Sequence, residues 1–202
     1  MESPLAIALI GLLYILGFGG LSYVRGQGLP VRFAVEGMII TVIGTTLKYA
    51  SVPVHPLLFL IVLYLVTMRV RLLVDVGNWL SARGNLEQAL ALYRLALQLG
   101  PDMASRQLAL INRGVAQLRS CDPEGAYLTL TEALIGQDGR IAARHWAACY
   151  YNLGLACRRT GREAEAIRRF NEAVDAWPKS VFGEAAAREL KKGGKDSQLT
   201  GE

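Results

Sequence analysis

A long apolar segment near the N-terminus restricts what this chain can fold into. Residues 4–24 read PLAIALIGLLYILGFGGLSYV, 21 residues without a charged side chain. A helix of this length extends about 30 Å, the thickness of the hydrocarbon core of a bilayer. A cleavable signal peptide is the alternative, but it would require a positive region before the apolar segment and an A-x-A site after it. The chain instead carries Glu2 and has no such site, so we expect a retained transmembrane helix.

Two further apolar segments follow, at residues 31–49 and 53–69. The segment 31–49 contains Glu36, whereas the last segment includes the continuous run PLLFLIVLYLVTM. Pro53 and Pro56 favour a tight turn, with Pro56 at the first position of a new helix. The sequence therefore predicts a transmembrane domain at residues 1–69 with three spans, at about 4–24, 31–49 and 53–69. For the middle segment, a re-entrant or interfacial helix is the alternative.

The arginines that flank these segments predict their orientation. Arg25 and Arg32 lie between the first two spans, and Arg69 and Arg71 follow the third. Because basic flanks stay on the cytoplasmic side, we expect the N-terminus outside and the residues after 70 in the cytoplasm, or on the stromal side in an organelle. An odd number of spans agrees with this placement. Arg69 and Arg71 are then positioned to contact anionic lipid headgroups.

The middle segment carries an ionisable group and a face of small residues. An ionisable residue within a span is by default a functional candidate. Because Arg32 precedes Glu36 by one helical turn, we expect a paired carboxylate near the membrane boundary rather than a proton or ion relay. Gly37, Thr41 and Gly44 share one helix face, and such residues let helices approach closely. This face predicts contact either with the other spans or with a different integral membrane protein.

The rest of the chain has the composition of a soluble domain. Residues 74–202 contain 17 of the 22 Lys and Arg residues and 15 of the 17 Asp and Glu residues. Because acidic side chains interleave with the basic ones, nucleic-acid binding is not expected.

Small and aromatic residues recur at fixed spacings in this second part. The clearest segment is YYNLGLACRRTGREAEAIRRFNEAVDAWPKS, at residues 150–180. Its pattern resembles the tetratricopeptide repeat (TPR), which pairs two antiparallel helices in about 34 residues. Cys157 departs from the pattern, because the family prefers tyrosine there. The residues that carry the resemblance are Tyr150, Leu153, Gly154, Ala166, Phe170, Ala173 and Pro178.

Two further frames extend the resemblance over residues 70–180. The frame from Val70 is a good match, whereas the frame from Gln107 has Arg113 in place of leucine and Asp138 in place of proline. The resemblance implies an all-α fold in which a TPR α-solenoid of three repeats follows the transmembrane helices. We also expect residues 57–83 to form one helix that runs from the third span into the first repeat. The expected TPR domain covers residues 70–192, with repeats at about 70–103, 107–140 and 147–180, a capping helix at 182–192 and a disordered tail at 193–202.

The sequence contains no familiar catalytic motif. There is no Walker A, nucleophile-elbow or HExxH pattern, and GFGG at residues 17–20 lies inside an apolar segment. His145 and Cys149 have the spacing to share a helix face, but no further residues complete the three or four ligands of a metal site. Cys149 and Cys157 are better interpreted as small apolar packing residues. We therefore expect a binding protein rather than an enzyme, without a cofactor or a metal.

The TPR resemblance implies a concave groove lined by the first helix of each repeat. Such a groove would be apolar in the middle and basic at its far end, which suits an apolar or helical segment of a protein partner with an acidic or polar end. The alternative is that the chain's own capping or membrane-proximal helix fills part of the groove. The expected groove residues are Asn78, Ile111, Val115, Arg119, Tyr151, Leu155, Arg158 and Arg159.

Two functional classes remain on these grounds. The first is a membrane-anchored scaffold or assembly factor that holds one subunit while its spans contact a membrane complex. The second is a permanent accessory subunit of such a complex, held mainly through its spans. A transporter or channel that uses Glu36 would require more polar spans than these.

Overall fold

The computed structural model describes residues 4–24, 31–135 and 142–199, and within these residues the chain is all-helical, as predicted. The described residues form nine helices and contain no strand. The chain divides into two units, Met1–Leu72 and Leu73–Glu202. The helices are α1 (Pro4–Val24), α2 (Val31–Tyr49), α3 (Pro56–Ala82), α4 (Leu86–Gln98), α5 (Met103–Arg119), α6 (Pro123–Leu134), α7 (Ala143–Arg159), α8 (Glu163–Ala176) and α9 (Val181–Leu199).

Two of the described helices, α1 and α3, are long and apolar enough to cross a membrane. Their apolar stretches have mean hydropathies of 2.1 and 2.3, and only 28% and 22% of these stretches is buried. The core helix of a soluble protein would be mostly buried. Helix α2 is not one of the two, and it carries three charged residues, Arg32, Glu36 and Lys48. Arg25, on which the predicted orientation partly depends, lies outside the described residues.

Helix α3 confirms the prediction of one long helix, because it runs without interruption from Pro56 to Ala82. Pro56 starts the helix, where its missing N–H would have no helical partner. The helix ends just before Gly84, whose φ of 85° lies in the left-handed region that favours glycine. The predicted third span began at residue 53, but the chain enters the helix only at Pro56.

The second unit contains three helix pairs, which are the end of α3 with α4, α5 with α6, and α7 with α8. An equivalent turn joins the two helices of each pair. The residue in the left-handed region is Gly84, Cys121 or Gly161, and it always stands two positions after the first helix of its pair. In each turn, the N–H of the next residue bonds to the carbonyl of a residue in the last turn of that helix. These N···O distances are 3.0 Å for Asn85 and Leu80, 2.9 Å for Asp122 and Gln117, and 2.8 Å for Arg162 and Cys157. The same local structure therefore occurs three times.

Within each pair, a glycine on the first helix lies against a large side chain on the second. Gly77 faces Tyr93, Gly114 faces Leu130 and Gly154 faces Phe170, always 16 residues apart. The three partners are 0–1% exposed. Because a Cβ at any of these glycines would lie 2.5–2.6 Å from the partner side chain, only glycine permits this separation of the helices. Consecutive pairs then pack together, α4 on α5 and α6 on α7.

The C-terminal helix is longer than the predicted cap. Helix α9 starts at Val181, packs on α7 and α8, and continues to Leu199. The expected disordered tail is thus corrected for residues 193–199, while 200–202 lie outside the described residues. Each glycine costs a helix only about 1 kcal/mol relative to alanine, and the helix continues through the adjacent glycines at 193 and 194. The end of the predicted middle repeat, residues 136–140 with Asp138, also lies outside the described residues.

Candidate partner-binding surface

The first helices of the three pairs are linked to one another at their C-terminal ends. The Arg119 guanidinium at the end of α5 donates to Ser81 Oγ in the last turn of α3, at 2.8 Å. Arg159 at the end of α7 makes the equivalent contact, donating to the carbonyl oxygen of Leu118 at 2.9 Å. These two arginines therefore join α3, α5 and α7 into one row, which we call the arginine row.

Arg119 and Arg159 retain donors beyond these links. Both residues are exposed, and an arginine carries five N–H donors in a planar fork that matches carboxylate geometry. Neither has an acidic partner among the described residues. Their position in the last turn of a helix is favourable for a cation because the helix dipole is negative there. The row can thus present two cations to an acidic group.

Arg158 has a different role from its neighbour. Its guanidinium pairs with Glu163 at 2.9 Å and with Glu189 of α9 at 2.6 Å. It also lies 4.8 Å from the centre of the Phe170 ring. Lys192 and then Arg158 hold the pKa of the Glu189 carboxyl below its ordinary value. The positive charge of Arg158 is therefore neutralised by carboxylates of its own chain. The ion pair with Glu189 holds α9 against α7.

The predicted apolar anchors are divided between the core and the surface. Ile111 was expected in the groove but is only 4% exposed and belongs to the core, because its side chain is covered by the packing of the helix pairs. Tyr151 is half-buried between Phe170 and Phe182, with both ring centroids 6.0 Å away. Phe182 belongs to α9, so the chain's own C-terminal helix covers this part of the expected groove. Val115 and Leu155 remain partly exposed.

Asn78 lies at the α3 end of the same surface. Its side-chain oxygen accepts a hydrogen bond of 2.8 Å from the Tyr93 hydroxyl. Burial raises the pKa of Tyr93 to about 12, against the opposing charge of Arg119, so the phenol stays protonated at neutral pH. This bond uses the oxygen of the Asn78 amide and not its NH₂ group. Because Asn78 is exposed, the two N–H donors of that group are accessible to a ligand.

In the N-terminal unit, the small-residue face is used by the chain's own helices. Gly37 lies against Ile15, since a Cβ there would be 2.9 Å from Ile15 Cγ1, and Gly44 lies against Phe59 at 2.6 Å. Thr41 is 7% exposed. It packs against a glycine of α1, Gly11, which the sequence did not single out. Of the two interpretations of this face, contact with the chain's own helices is the one that the geometry supports.

The carboxylate of Glu36 is paired, as the sequence predicted, and it has a second partner. Arg32 Nε donates to it at 2.8 Å, and Arg69 contacts both of its oxygens, at 2.6 and 2.8 Å. Bidentate pairing of this kind restrains both side chains. Arg69 was expected to contact lipid headgroups, but most of its donors are directed at Glu36 and at the Val66 carbonyl. Arg71 is exposed.

The residues considered for metal binding differ in how deeply they are buried. Cys149 and Cys157 are fully buried, and burial raises the pKa of their thiols to about 12 and about 11. His145 accepts a hydrogen bond from Arg144 Nε at 3.2 Å. In the part of the chain that the structure describes, no three His, Cys, Asp or Glu side chains come together as metal ligands. The two cysteines act here as core residues.

Comparison with known proteins does not assign this chain to a family. No family model matches it, and a search of curated proteins found no significant match.

Proposed function

We propose that this protein is a membrane-anchored TPR scaffold that holds a protein partner on its arginine row and helps to assemble or stabilise a membrane complex. Its N-terminal helices act as three transmembrane spans, with the N-terminus outside and the TPR domain in the cytoplasm. The partner supplies an acidic or polar end for Arg119 and Arg159 and an apolar or helical segment for Val115 and Leu155.

The observation that carries the proposal is the threefold recurrence of one local structure. The same turn, the same hydrogen bond and the same glycine-to-large-side-chain contact occur in three successive helix pairs. The sequence spacing of the TPR family implies such a recurrence. Stacked helix pairs expose an extended surface, and proteins built in this way use it mainly for binding.

The membrane assignment is supported by exposed aliphatic side chains in the N-terminal unit. Leu5, Leu9 and Leu13 on α1 are 78%, 57% and 59% exposed, and Leu57 and Leu58 on α3 are 59% and 62% exposed. Exposing so much continuous apolar surface to water is unfavourable, whereas a bilayer covers it. Helix α2, although more polar, packs on α1 and pairs its Glu36 with Arg69, so it has internal partners for its charges.

The arginine row predicts a binding mode with a polar anchor. Two guanidiniums on adjacent helices suit an acidic terminus or a short acidic segment, because each fork can bind a carboxylate with two parallel hydrogen bonds. Partly exposed Val115 and Leu155 lie one turn before Arg119 and Arg159 on α5 and α7, which leaves an apolar strip beside the charges. Arginine is one of the residues that most often carry the binding energy at the centres of interfaces.

The test is to retrieve the partner in mild detergent with a variant in which both arginines of the arginine row are replaced by glutamate. The full-length tagged chain carrying Arg119→Glu and Arg159→Glu should retrieve its partner at a yield lowered about tenfold or more, since two interface arginines are lost and two repulsive charges are added. The matched control reverses two exposed cations elsewhere, Lys179→Glu and Arg188→Glu, and should retrieve the partner normally.

The same experiment separates the scaffold from a permanent accessory subunit. If the row variant remains folded and membrane-bound yet retrieves the same partners in stoichiometric amounts, the spans are the interface and the accessory-subunit class is correct. Substoichiometric partners that disappear only from the row variant support the scaffold.

A further inference from the structure

A second basic site lies away from the arginine row, in a cleft between α4, α5 and α6. Its volume is about 330 Å³. This is near the lower end of the range for small-ligand pockets, about 300–1,000 Å³. We call it the arginine cleft. Its lining residues are Arg94, Leu97, Gln98, Arg106, Arg113 and Glu132.

The charges of the arginine cleft are not balanced. Arg106 forms an ion pair with Glu132, but neither Arg94 nor Arg113 has an acidic partner among the described residues. Arg94 Nε donates to the Leu90 carbonyl of its own helix, at 3.4 Å. Three guanidiniums therefore face one carboxylate, and the cleft has an excess of two positive charges.

Arg113 occupies a position at which the fold uses an apolar residue in the other helix pairs. It directly precedes Gly114, and the equivalent residues before Gly77 and Gly154 are Val76 and Leu153. Leu153 is fully buried in the core. Packing thus does not require a cation at this position. A half-buried guanidinium without an acidic partner loses hydration, and no ion pair among the described residues of the chain offsets that loss. An external anion would supply the missing partner.

We propose that the arginine cleft binds a phosphate monoester. A phosphate monoester carries about −1.5 to −2 charges at neutral pH, which matches the excess of the cleft, whereas a single carboxylate would neutralise only half of it. Three guanidiniums can also satisfy the three terminal phosphate oxygens through bidentate hydrogen bonds. Clusters of arginines recognise phosphate groups in this way.

Glu132 is the internal competitor for this site. Its ion pair with Arg106 is partly exposed, with 44% of the Glu132 side chain and 36% of the Arg106 side chain accessible, and pairs of this kind contribute little stability. The carboxylate occupies a donor that the phosphate would use and repels the incoming dianion. Removing its charge should therefore strengthen binding rather than weaken it.

The probes are inorganic phosphate, which tests a free ligand, and a phosphoserine peptide without other acidic residues, which tests a phosphate displayed on a protein. Each is titrated by calorimetry into the purified full-length chain in non-ionic detergent, with the unphosphorylated peptide as a blank. We expect saturable one-to-one binding that weakens as salt is added. Tenfold tighter binding of the peptide would identify a phosphorylated segment as the source, and equal affinities would identify a free phosphate compound.

The variants test the lining directly. Arg113→Leu installs the residue type of the third helix pair and should lower the affinity about tenfold or more, as expected when charge-assisted hydrogen bonds are lost. Glu132→Gln should raise the affinity several-fold, a gain that misfolding cannot produce. Arg188→Gln removes an exposed cation outside the cleft and should change nothing. Absence of binding to both probes, or equal losses in Arg113→Leu and Arg188→Gln, would overturn the proposal.

Discussion

The crossing of α7 and α8 at Gly154 provides the most direct test of how the second unit is packed. A Cβ on Gly154 would lie 2.6, 2.7 and 3.0 Å from three atoms of the Phe170 ring. Phe170 has no exposed surface and lies in the core with Leu153 and Trp146, so the ring has no space into which it can move. Any side chain at Gly154 must therefore separate the two helices.

The expected cost follows from two opposing terms. Overpacking typically costs about 1–3 kcal/mol and sometimes more, and Gly154→Leu adds four carbon atoms at the point of closest approach. Leucine gains about 0.8 kcal/mol over glycine in helix propensity. Because the four carbons enter at the closest point of a fully buried crossing, the overpacking cost should be at the upper end of that range or above it, about 3 kcal/mol or more. After the gain in propensity is subtracted, we expect Gly154→Leu to lower the free energy of unfolding by about 2 kcal/mol or more, which corresponds to roughly 5–10 °C in the midpoint of thermal unfolding for a unit of this size.

The assay uses the position of the tryptophans. All three, Trp79, Trp146 and Trp177, lie in the unit Leu73–Glu202, so tryptophan fluorescence of the full-length chain in detergent reports the unfolding of that unit alone. The matched pair is Gly154→Ala and Gly193→Ala. At Gly193 a Cβ would have only ordinary contacts, at 3.5 and 3.6 Å, so alanine there should be neutral or slightly stabilising. If Gly154→Ala and Gly154→Leu unfold at or above the temperature of Gly193→Ala, our account of this crossing is wrong.

Two further predictions concern titratable groups in the same unit. Because burial raises the pKa of Cys149 to about 12 and of Cys157 to about 11, only the exposed Cys121 should react with a maleimide at pH 7.5. With an impermeant reagent, labelling only after the cells are permeabilised supports the cytoplasmic placement, whereas labelling of intact cells contradicts it. Burial, and then Arg144, lower the pKa of His145 below its ordinary 6.5, so the unfolded chain takes up this proton first as the pH falls. The stability linked to His145 is therefore present above pH 6.5 and is lost below it. His145→Gln should unfold with a smaller midpoint shift than the native chain between pH 7.5 and 5.5, and an equal shift would refute this.

The sequence was sufficient to predict those features that depend on local patterns. The bounds of α1 and α2 coincide with the predicted segments 4–24 and 31–49, and the predicted helix 57–83 differs from α3 by one residue at each end. Helices α1 and α3 are marked by long apolar runs and by a proline at their first residue, whereas α2 is a more polar segment that follows the proline at position 30. The glycines at the three helix crossings were also predictable, because a close crossing admits only a small residue and recurs at a fixed spacing.

Contacts between residues far apart in sequence could not be predicted in the same way. The pairing of Glu36 with Arg69 joins residues 33 positions apart, and only the packing of the N-terminal unit brings them together. Ile111 was placed on the surface because an average repeat exposes that position, but in this chain the neighbouring helices cover it. The extension of α9 was missed because a composition rich in glycine and charge resembles a disordered tail, although each glycine costs a helix little.

The arginines show most clearly why residue type alone does not determine a site. Arg158 and Arg159 are adjacent in sequence, but successive residues on a helix are rotated by about 100°, so they meet different neighbours. Arg158 meets Glu163 and Glu189 and becomes part of the structure, whereas among the described residues Arg159 bonds only to a carbonyl, so its remaining donors are free of acidic partners there. Arg113 shows the same effect in the cleft, where one carboxylate serves three guanidiniums. The cations available for binding are therefore those that have no carboxylate beside them. An arginine in the surroundings of Arg158 should gain a binding function only if the acidic partners there, Glu163 and Glu189, are removed as well.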